Sequence, residues 1–437
     1  MNAALVLAAA LSARTVTLAE AEQAAAAQRP EVRIAAANAA AGAGRTEQAR
    51  APLLPQVVLQ GIYERSTGNR EQKPDRTFTV ANSFDTFNWY EAKMGIEQLI
   101  YDFGRAADRW RAAAARAAGL GDTARAARLQ ALLDVRAAFF EARADKALVE
   151  VARQTLANQD RHYAQISEFV RTGTRPDIDL AQASADRANA RVTLIRAENA
   201  YTVARAELNR AMGTVGDTDY DVADDEFPPV PGETGPIAGL IDEALRDRPE
   251  LAAVEAQLRA QELTLQSARA GYWPSLSLIA GASDAGIQFQ ETYMLDYLGN
   301  VTPYGGLAWN LWIGVKLTWP VFQGFLTRGQ VHEAAADVDG LRAQRDGALH
   351  EVWVGVQRAA PGVRAAKEAL VAAEEALTSA RTRLRLAEGR YTAGVGNIIE
   401  LSDAQLGETT AAAQRVAADY ALAAARADLV LALGRPF

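Results

Sequence analysis

Residues able to do chemistry are few in this chain, and their spacing points to placed charge rather than bond making. There are three histidines, His162, His332 and His350, and no cysteine. Their separation leaves little material for a metal cluster or a histidine-based catalytic site, and the missing thiols exclude disulfides and thiolate ligands. No phosphate-binding loop, nucleophile elbow or histidine–carboxylate cluster is present, so the chain does not read as an enzyme. No cofactor or metal is expected. The acidic pair Glu400 and Asp403 stands out instead. Its i, i+3 spacing puts both carboxylates on one helix face. Several such pairs around an opening would favour cations. The same stretch also fits plain helix capping, with Asn397 three residues before Glu400.

The elements that would position such residues are written twice. Arg29-Pro30-Glu31 recurs as Arg248-Pro249-Glu250, and Gly95 as Gly314, at an offset of 219 (249 − 30). Gly173, Leu180 and Gly213 return as Gly394, Leu401 and Gly434, at an offset of 221 (394 − 173). The register implies two copies of one structural unit. The expected organisation is 14–213 as the first repeat, 214–236 as an acidic, proline-rich linker and 237–437 as the second. Residues 1–13 read as a signal remnant or as an ordinary tail. Hydrophobic residues make up 49% of the chain but aromatics only 7%, and the abundant alanine favours long, close-packed helices. A net charge of −8 argues against nucleic acid as a partner.

Each copy opens with a helix, 30–51 and 249–271, closed by prolines. The period then changes to two. Leu276, Leu278, Ala280 and Ala282 alternate with Ser275, Ser277, Gly281 and Ser283; Val57, Leu59, Gly61 and Tyr63 match them in the first copy. In the next strand Trp309, Leu311, Ile313, Val315, Leu317 and Trp319 share a face, and Tyr90, Ala92, Met94 and Ile96 are their counterparts. Glu91, Lys93 and Glu97 face the other way, as does Lys316. Such alternation with aromatic ends is how a membrane β-strand reads, with Tyr90, Trp309 and Trp319 as interface anchors and Lys93 and Lys316 as lumen candidates. The alternative is a half-buried strand of a soluble sheet. Stretches 65–88 and 283–308 are expected to be loops.

A helix of 67 residues follows from Arg105 to Arg171 in the first copy, about 100 Å long at 1.5 Å per residue. Leu370, Ala373, Leu377, Ala380, Leu384, Ala387 and Tyr391 form heptads, as do Val149, Ala152, Leu156, Gln159, Tyr163, Ile166 and Val170, which imposes supercoiling. Return helices are expected at 178–212 and 398–433. Pro361-Gly362 is expected to kink the second long helix. The fold class is therefore mainly α with membrane β-strands: a duplicated strand pair plus a long helical hairpin. Four strands cannot close a barrel, and lipid tolerates no open edge. Two copies enclose little, whereas three give a wide lumen. The expected assembly is a homotrimer, with a 12-stranded β-barrel continuous with a 12-helix α-barrel. The Gly173 and Gly394 turns would lie farthest from the strands, at the mouth, beside Glu400 and Asp403.

From about Thr17 onward the chain resembles the TolC-like outer membrane efflux proteins. The resemblance rests on the Arg-Pro-Glu helix starts, Ala270-Gly-Tyr-Trp-Pro-Ser-Leu276, Leu317-Thr-Trp-Pro-Val-Phe-Gln-Gly324 and Tyr391-Thr-Ala-Gly-Val-Gly-Asn-Ile-Ile-Glu400-Leu-Ser-Asp-Ala404, in order and in duplicate. It implies a trimeric channel-tunnel in the Gram-negative outer membrane with its helical part in the periplasm. The implied partners are outer membrane lipid, a periplasmic adaptor protein, and an inner-membrane pump or an ABC transporter of type I secretion. It also implies that the acidic positions line the entrance and that Asp179 and Tyr391 form a link holding the mouth closed. A second family link uses arginine at the position of Gly396; Arg175 is the candidate substitute. Tyr391 equally fits the heptad seam as packing. The rival readings are a periplasmic coiled-coil scaffold, which leaves the paired strands unexplained, and an adaptor, which should carry one hairpin rather than two.

Overall fold

The computed structural model describes residues 15–72, 78–216, 218–295 and 301–435. In chain order these form β1 (Thr15–Val16), α1 (Leu18–Gln28), α2 (Pro30–Arg50), β2 (Gln56–Gln72), β3 (Phe78–Tyr101), α3 (Arg105–Arg171) and α4 (Asp177–Met212). Then come β4 (Asp221–Val222), α5 (Ile237–Asp247), α6 (Pro249–Arg269), β5 (Ser275–Leu295), β6 (Val301–Thr318), α7 (Leu326–Thr392) and α8 (Ile398–Leu433). The duplication runs through all the larger elements: α3 and α7 both have 67 residues, and α4 and α8 both have 36. Among the described residues no helix is long and apolar enough to cross a membrane.

The chain divides into two units. One holds Ala41–Ala117 and Ala256–Arg342, and its centre is a four-stranded antiparallel sheet of order β2-β3-β5-β6. The register places Val57 opposite Ile96, Ile96 opposite Ala280 and Ala280 opposite Ile313. Leu59, Met94, Ala282 and Leu311 form the next row in the same way. The four apolar faces read from the sequence are thus one face. Trp309, Leu311, Ile313, Val315 and Leu317 on it are each at least 65% exposed. The strands are longer than the alternation suggested. They extend well into 65–88 and 283–308, which are therefore mostly strand rather than loop; residues 73–77 and 296–300 lie outside the described residues. The turn-rich composition there misled because polar residues serve a strand equally well once it has left an apolar surrounding.

The other unit comprises the chain before Ala41, Ala118–Glu255 and Ala343 onward. Its main core was not legible in the sequence. Helices α1 and α5 were missed as separate elements. Leu240, Ile241, Ala244 and Leu245 give α5 an apolar stripe at helical spacing, and Thr17 caps α1 in a reciprocal box with Glu20. The segment 214–236 is more than a linker: it is exposed along one side and anchored in the core along the other. Tyr220, Val222, Phe227 and Val230 are buried among Val135, Phe139, Leu208, Val356 and Leu429. Its β4 pairs in parallel with β1. Its acids are matched by cations from the long helices: Arg143 bridges Asp224 and Asp419, and Lys146 pairs with Asp221 at 2.7 Å. Buried Glu233 takes two bonds of 3.1 Å from Arg426.

The Arg-Pro-Glu starts also acquire a reason. Arg29 reaches the Ala131 carbonyl and, at 2.5 Å, Asp134 on α3, while Pro30 opens α2. Gly213 and Gly434, at φ 72° and 68°, cap α4 and α8 in the left-handed region. A Cβ on Gly213 would lie 2.8 Å from the Arg29 Cα, and one on Gly434 would lie 2.9 Å from the Arg248 Cα. The two glycine–arginine joints are equivalent. Pro361 does not interrupt α7, which runs unbroken through it. Pro361 forfeits one backbone bond. Val356, Ala360 and Val363 around it are fully buried and hold the helix in place.

Burial opposes ionisation of Glu233, yet the bonds from Arg426 and the Val230 amide hold its carboxyl below the ordinary range. A depressed carboxylate contributes stability above its unfolded value, near 4.3, and loses it as pH falls through the folded one. Replacing Arg426 by alanine strands the buried charge and should cost about 3 kcal/mol. Thermal unfolding in detergent followed by circular dichroism should show a lower midpoint for Arg426→Ala at pH 7, with the gap to the parent narrowing at pH 4.

Candidate functional site

Two features of the molecule fit a functional role, one in each unit. The first is the turn end of the helical unit. Here α3 passes into α4 through Gly173 (φ 73°), and α7 into α8 through Gly394 (φ 81°). Both turns need the left-handed conformation that glycine adopts without strain. The heptads deliver a small core beneath them: Ile166, Ala183, Ala387, Tyr391, Leu401 and Ala404, flanked by Tyr163, Phe169, Val170 and Leu384.

On this core the structure brings Asp179, Tyr391 and Arg175 together. The Tyr391 hydroxyl donates to Asp179 Oδ2 at 3.1 Å, in a buried bond. Arg175 lies over the same ring, 4.3 Å from its centre, and donates to the Tyr391 carbonyl at 2.9 Å. A second Arg175 bond, 3.4 Å, reaches the Gly396 carbonyl. Burial and then the Asp179 carboxylate push the Tyr391 hydroxyl up to about 12, so it remains a donor at any physiological pH. Gly396 has little room for a side chain, since a Cβ would press within 3.0 Å of the Tyr391 amide nitrogen. The cation therefore comes from the other hairpin, at the position equivalent in the repeat.

Glu400 and Asp403 do not behave as a matched pair. Glu400 sits against Arg390 at 3.3 Å, and its amide donates to the Asn397 side chain at 2.8 Å, so the capping reading is correct for Asn397. Asp403 is exposed one turn on. Further links between the hairpins were missed by sequence reasoning. Ser402 donates to Asp186 at 2.8 Å, Gln159 to Gln405 at 3.0 Å, and His162 faces Glu388 at 3.3 Å. Gln159 was the one signal available: a polar residue inside an otherwise apolar heptad seam.

The second feature is the exposed sheet face. Tyr90 pairs in register with Tyr63, their rings 5.2 Å apart, and Trp309 lies on the same face. Trp319, one residue beyond β6, also belongs to it and donates to the Tyr272 carbonyl at 3.2 Å. From Trp309 to Trp319 the strand advances about 33 Å. At the tilt usual for membrane barrels this spans about 25 Å, the height of their apolar band. Lys93 and Lys316 lie on the opposite face; Lys316 pairs with Glu97 at 2.7 Å. Among the described residues no group of acids and histidines is arranged to hold a metal ion.

Known proteins match this architecture. The family model described as outer membrane efflux protein matches residues 21–214 and 240–435. The outer membrane protein OprJ of Pseudomonas aeruginosa is 24% identical over 355 residues, covering 79% of this chain and 70% of that protein. The solved outer membrane protein VceC of Vibrio cholerae superposes with a TM-score of 0.77 at 19% identity, covering 96% of both chains. The CmeC outer membrane channel of Campylobacter jejuni gives 0.79 at 17% identity, covering 95% of this chain and 85% of that one. These two solved structures share the fold.

Removing the hydroxyl at the turn end leaves the Arg175–ring contact but orphans Asp179. Tyr391→Phe and Asp179→Ala should each raise the mean single-channel conductance in planar bilayers about twofold or more, since a lost buried bond to a charged group is worth about 1.5–3 kcal/mol. Unaltered conductance would leave these residues as packing alone.

Proposed function

The chain belongs to the outer membrane efflux protein family and is an outer membrane efflux channel, and from that premise we propose how its residues build and gate the duct. Three copies join β6 of one to β2 of the next, giving twelve strands around a lumen. The supporting observation is the sheet itself: four strands in register, one face apolar and exposed, with β2 and β6 as its edges. An edge left open in hydrocarbon would carry unsatisfied backbone groups at several kcal/mol each. Eight strands from two copies would enclose little more than side chains. The α3–α4 and α7–α8 hairpins from three copies then form a tunnel of twelve helices.

In this reading the turn end is the periplasmic mouth. Asp179, Tyr391 and Arg175 fasten the first hairpin of a chain to its second and so hold the mouth narrow. Glu400 and Asp403 present acidic side chains near the opening, where Arg390 offsets part of the Glu400 charge. The duct is passive, and the energy for export comes from an inner-membrane pump or ABC transporter reached through a periplasmic adaptor. Family members are channels rather than enzymes. The paired, half-buried strands of a soluble scaffold are disfavoured by the size of the exposed apolar face.

Purified in detergent, the protein should scatter light as three chains and form discrete conductance steps in planar bilayers; a monomer without pores would end the proposal. The double change Glu400→Ala with Asp403→Ala should weaken block of the current by a multivalent cation such as hexamminecobalt several-fold. Block at the parental concentration would remove the acidic mouth while leaving the channel intact.

A further inference from the structure

On the face opposite the apolar band, Trp312 has unusual surroundings. Trp312 is paired in register with Gly281, Gly281 with Gly95, and Gly95 with Val58. Side chains on this face alternate away from the band; its members include Gln60, Lys93, Asn310, Glu97 and Lys316 together with the apolar Val58, Trp89 and Ile279. The question is what holds the indole among them.

Part of the answer is the strand backbone. A Cβ on Gly281 would lie 2.2 Å from Trp312 Cζ2 and 2.6 Å from the Met94 carbonyl oxygen. The ring therefore rests on the Gly281 backbone, which only glycine permits. Covering a strand glycine with an aromatic ring is a known way to recover lost packing. That accounts for Gly281 and for nothing else in the row. At Gly95, the neighbouring glycine, an added Cβ would meet no atom within 4 Å. The floor beside the indole is open. A glycine inside a strand with free space above it is suited to the close approach of another molecule. Lys93 completes the arrangement: its Nζ is 5.6 Å from the centre of the Trp312 ring. Among the described residues no carboxylate pairs with Lys93, whereas Lys316, two rows away, is neutralised by Glu97.

We infer that Trp312, the open floor at Gly95 and the ammonium of Lys93 form a subsite for planar aromatic anions on the wall of the lumen. This rests on the reading that the face opposite the band is luminal. A flat ring fits over Gly95 beside the indole, and its carboxylate or sulfonate reaches Lys93. The ammonium repels a cation of the same shape. An aliphatic anion gains the charge but not the ring contact. Each chain carries one such subsite, so three would ring the duct at one level.

The test uses the full chain in planar bilayers, with naphthalene-2-sulfonate as probe and methanesulfonate and 2-naphthylmethylammonium as controls. Unitary conductance steps without any probe establish the channel first. Their absence would defeat the channel reading itself, and the subsite with it. Given a channel, naphthalene-2-sulfonate should interrupt the current at a concentration about fivefold or more below either control. Trp312→Leu and Lys93→Gln should each abolish that preference, Trp312→Phe should keep most of it, and Lys316→Gln should leave it intact. Gly95→Val fills the floor without touching ring or ammonium, and should also abolish it. Equal block by the three probes in the parent overturns the inference. So does a preference that survives Lys93→Gln, an exposed polar change that leaves the strand able to insert.

Discussion

A backbone in hydrocarbon must satisfy its hydrogen bonds without water. Much of what is unusual here answers that demand. The sheet β2-β3-β5-β6 satisfies its inner strands and presents one mainly apolar face, broken only by polar side chains such as Gln98 and Asp284, but a row of donors and acceptors remains at each edge. The rest of the design follows from finding partners for those edges. Identical copies supply them most simply, because the same two edges then serve every junction.

Duplication explains how so large a structure is specified by a modest vocabulary, and its departures mark where the two hairpins meet. The joints of Gly213 on Arg29 and of Gly434 on Arg248 are the same in both copies, down to the left-handed caps. The turn ends are not. Arg175 stands where the second copy has Gly396, and Asp179 where it has Glu400. The first copy thus supplies the cation and the acid, and the second supplies the phenol that joins them. Two identical hairpins could not bind each other in this way, so divergence at these positions is what makes the contact possible.

Much of the architecture was legible because it rests on period and offset. The long helices, the return helices and the shared face of the strands followed from the 3.5- and 2-residue repeats and the duplicated glycines. What escaped were features that depend on tertiary packing. The short helices α1 and α5 carry too little sequence to register against the longer pattern. The acidic, proline-rich segment read as a linker because its charges were visible and their partners, Arg143, Lys146 and Arg426, lay far away in the chain. Pro361 lies inside a helix that continues through it, among buried neighbours. At the turn end Asp179, Tyr391 and Arg175 were picked out by the family resemblance alone, Glu400 was read without its neighbour Arg390, and the links through Ser402 and Gln405 left almost no trace in composition.

The fastening of Tyr391 to Asp179 and Arg175 lies wholly within one polypeptide. No neighbouring copy is needed to form it. If the clasp gates the mouth as proposed, each copy carries its own complete latch, and such an assembly would have intermediate apertures available to it, one sector loosened at a time, in place of a single concerted iris.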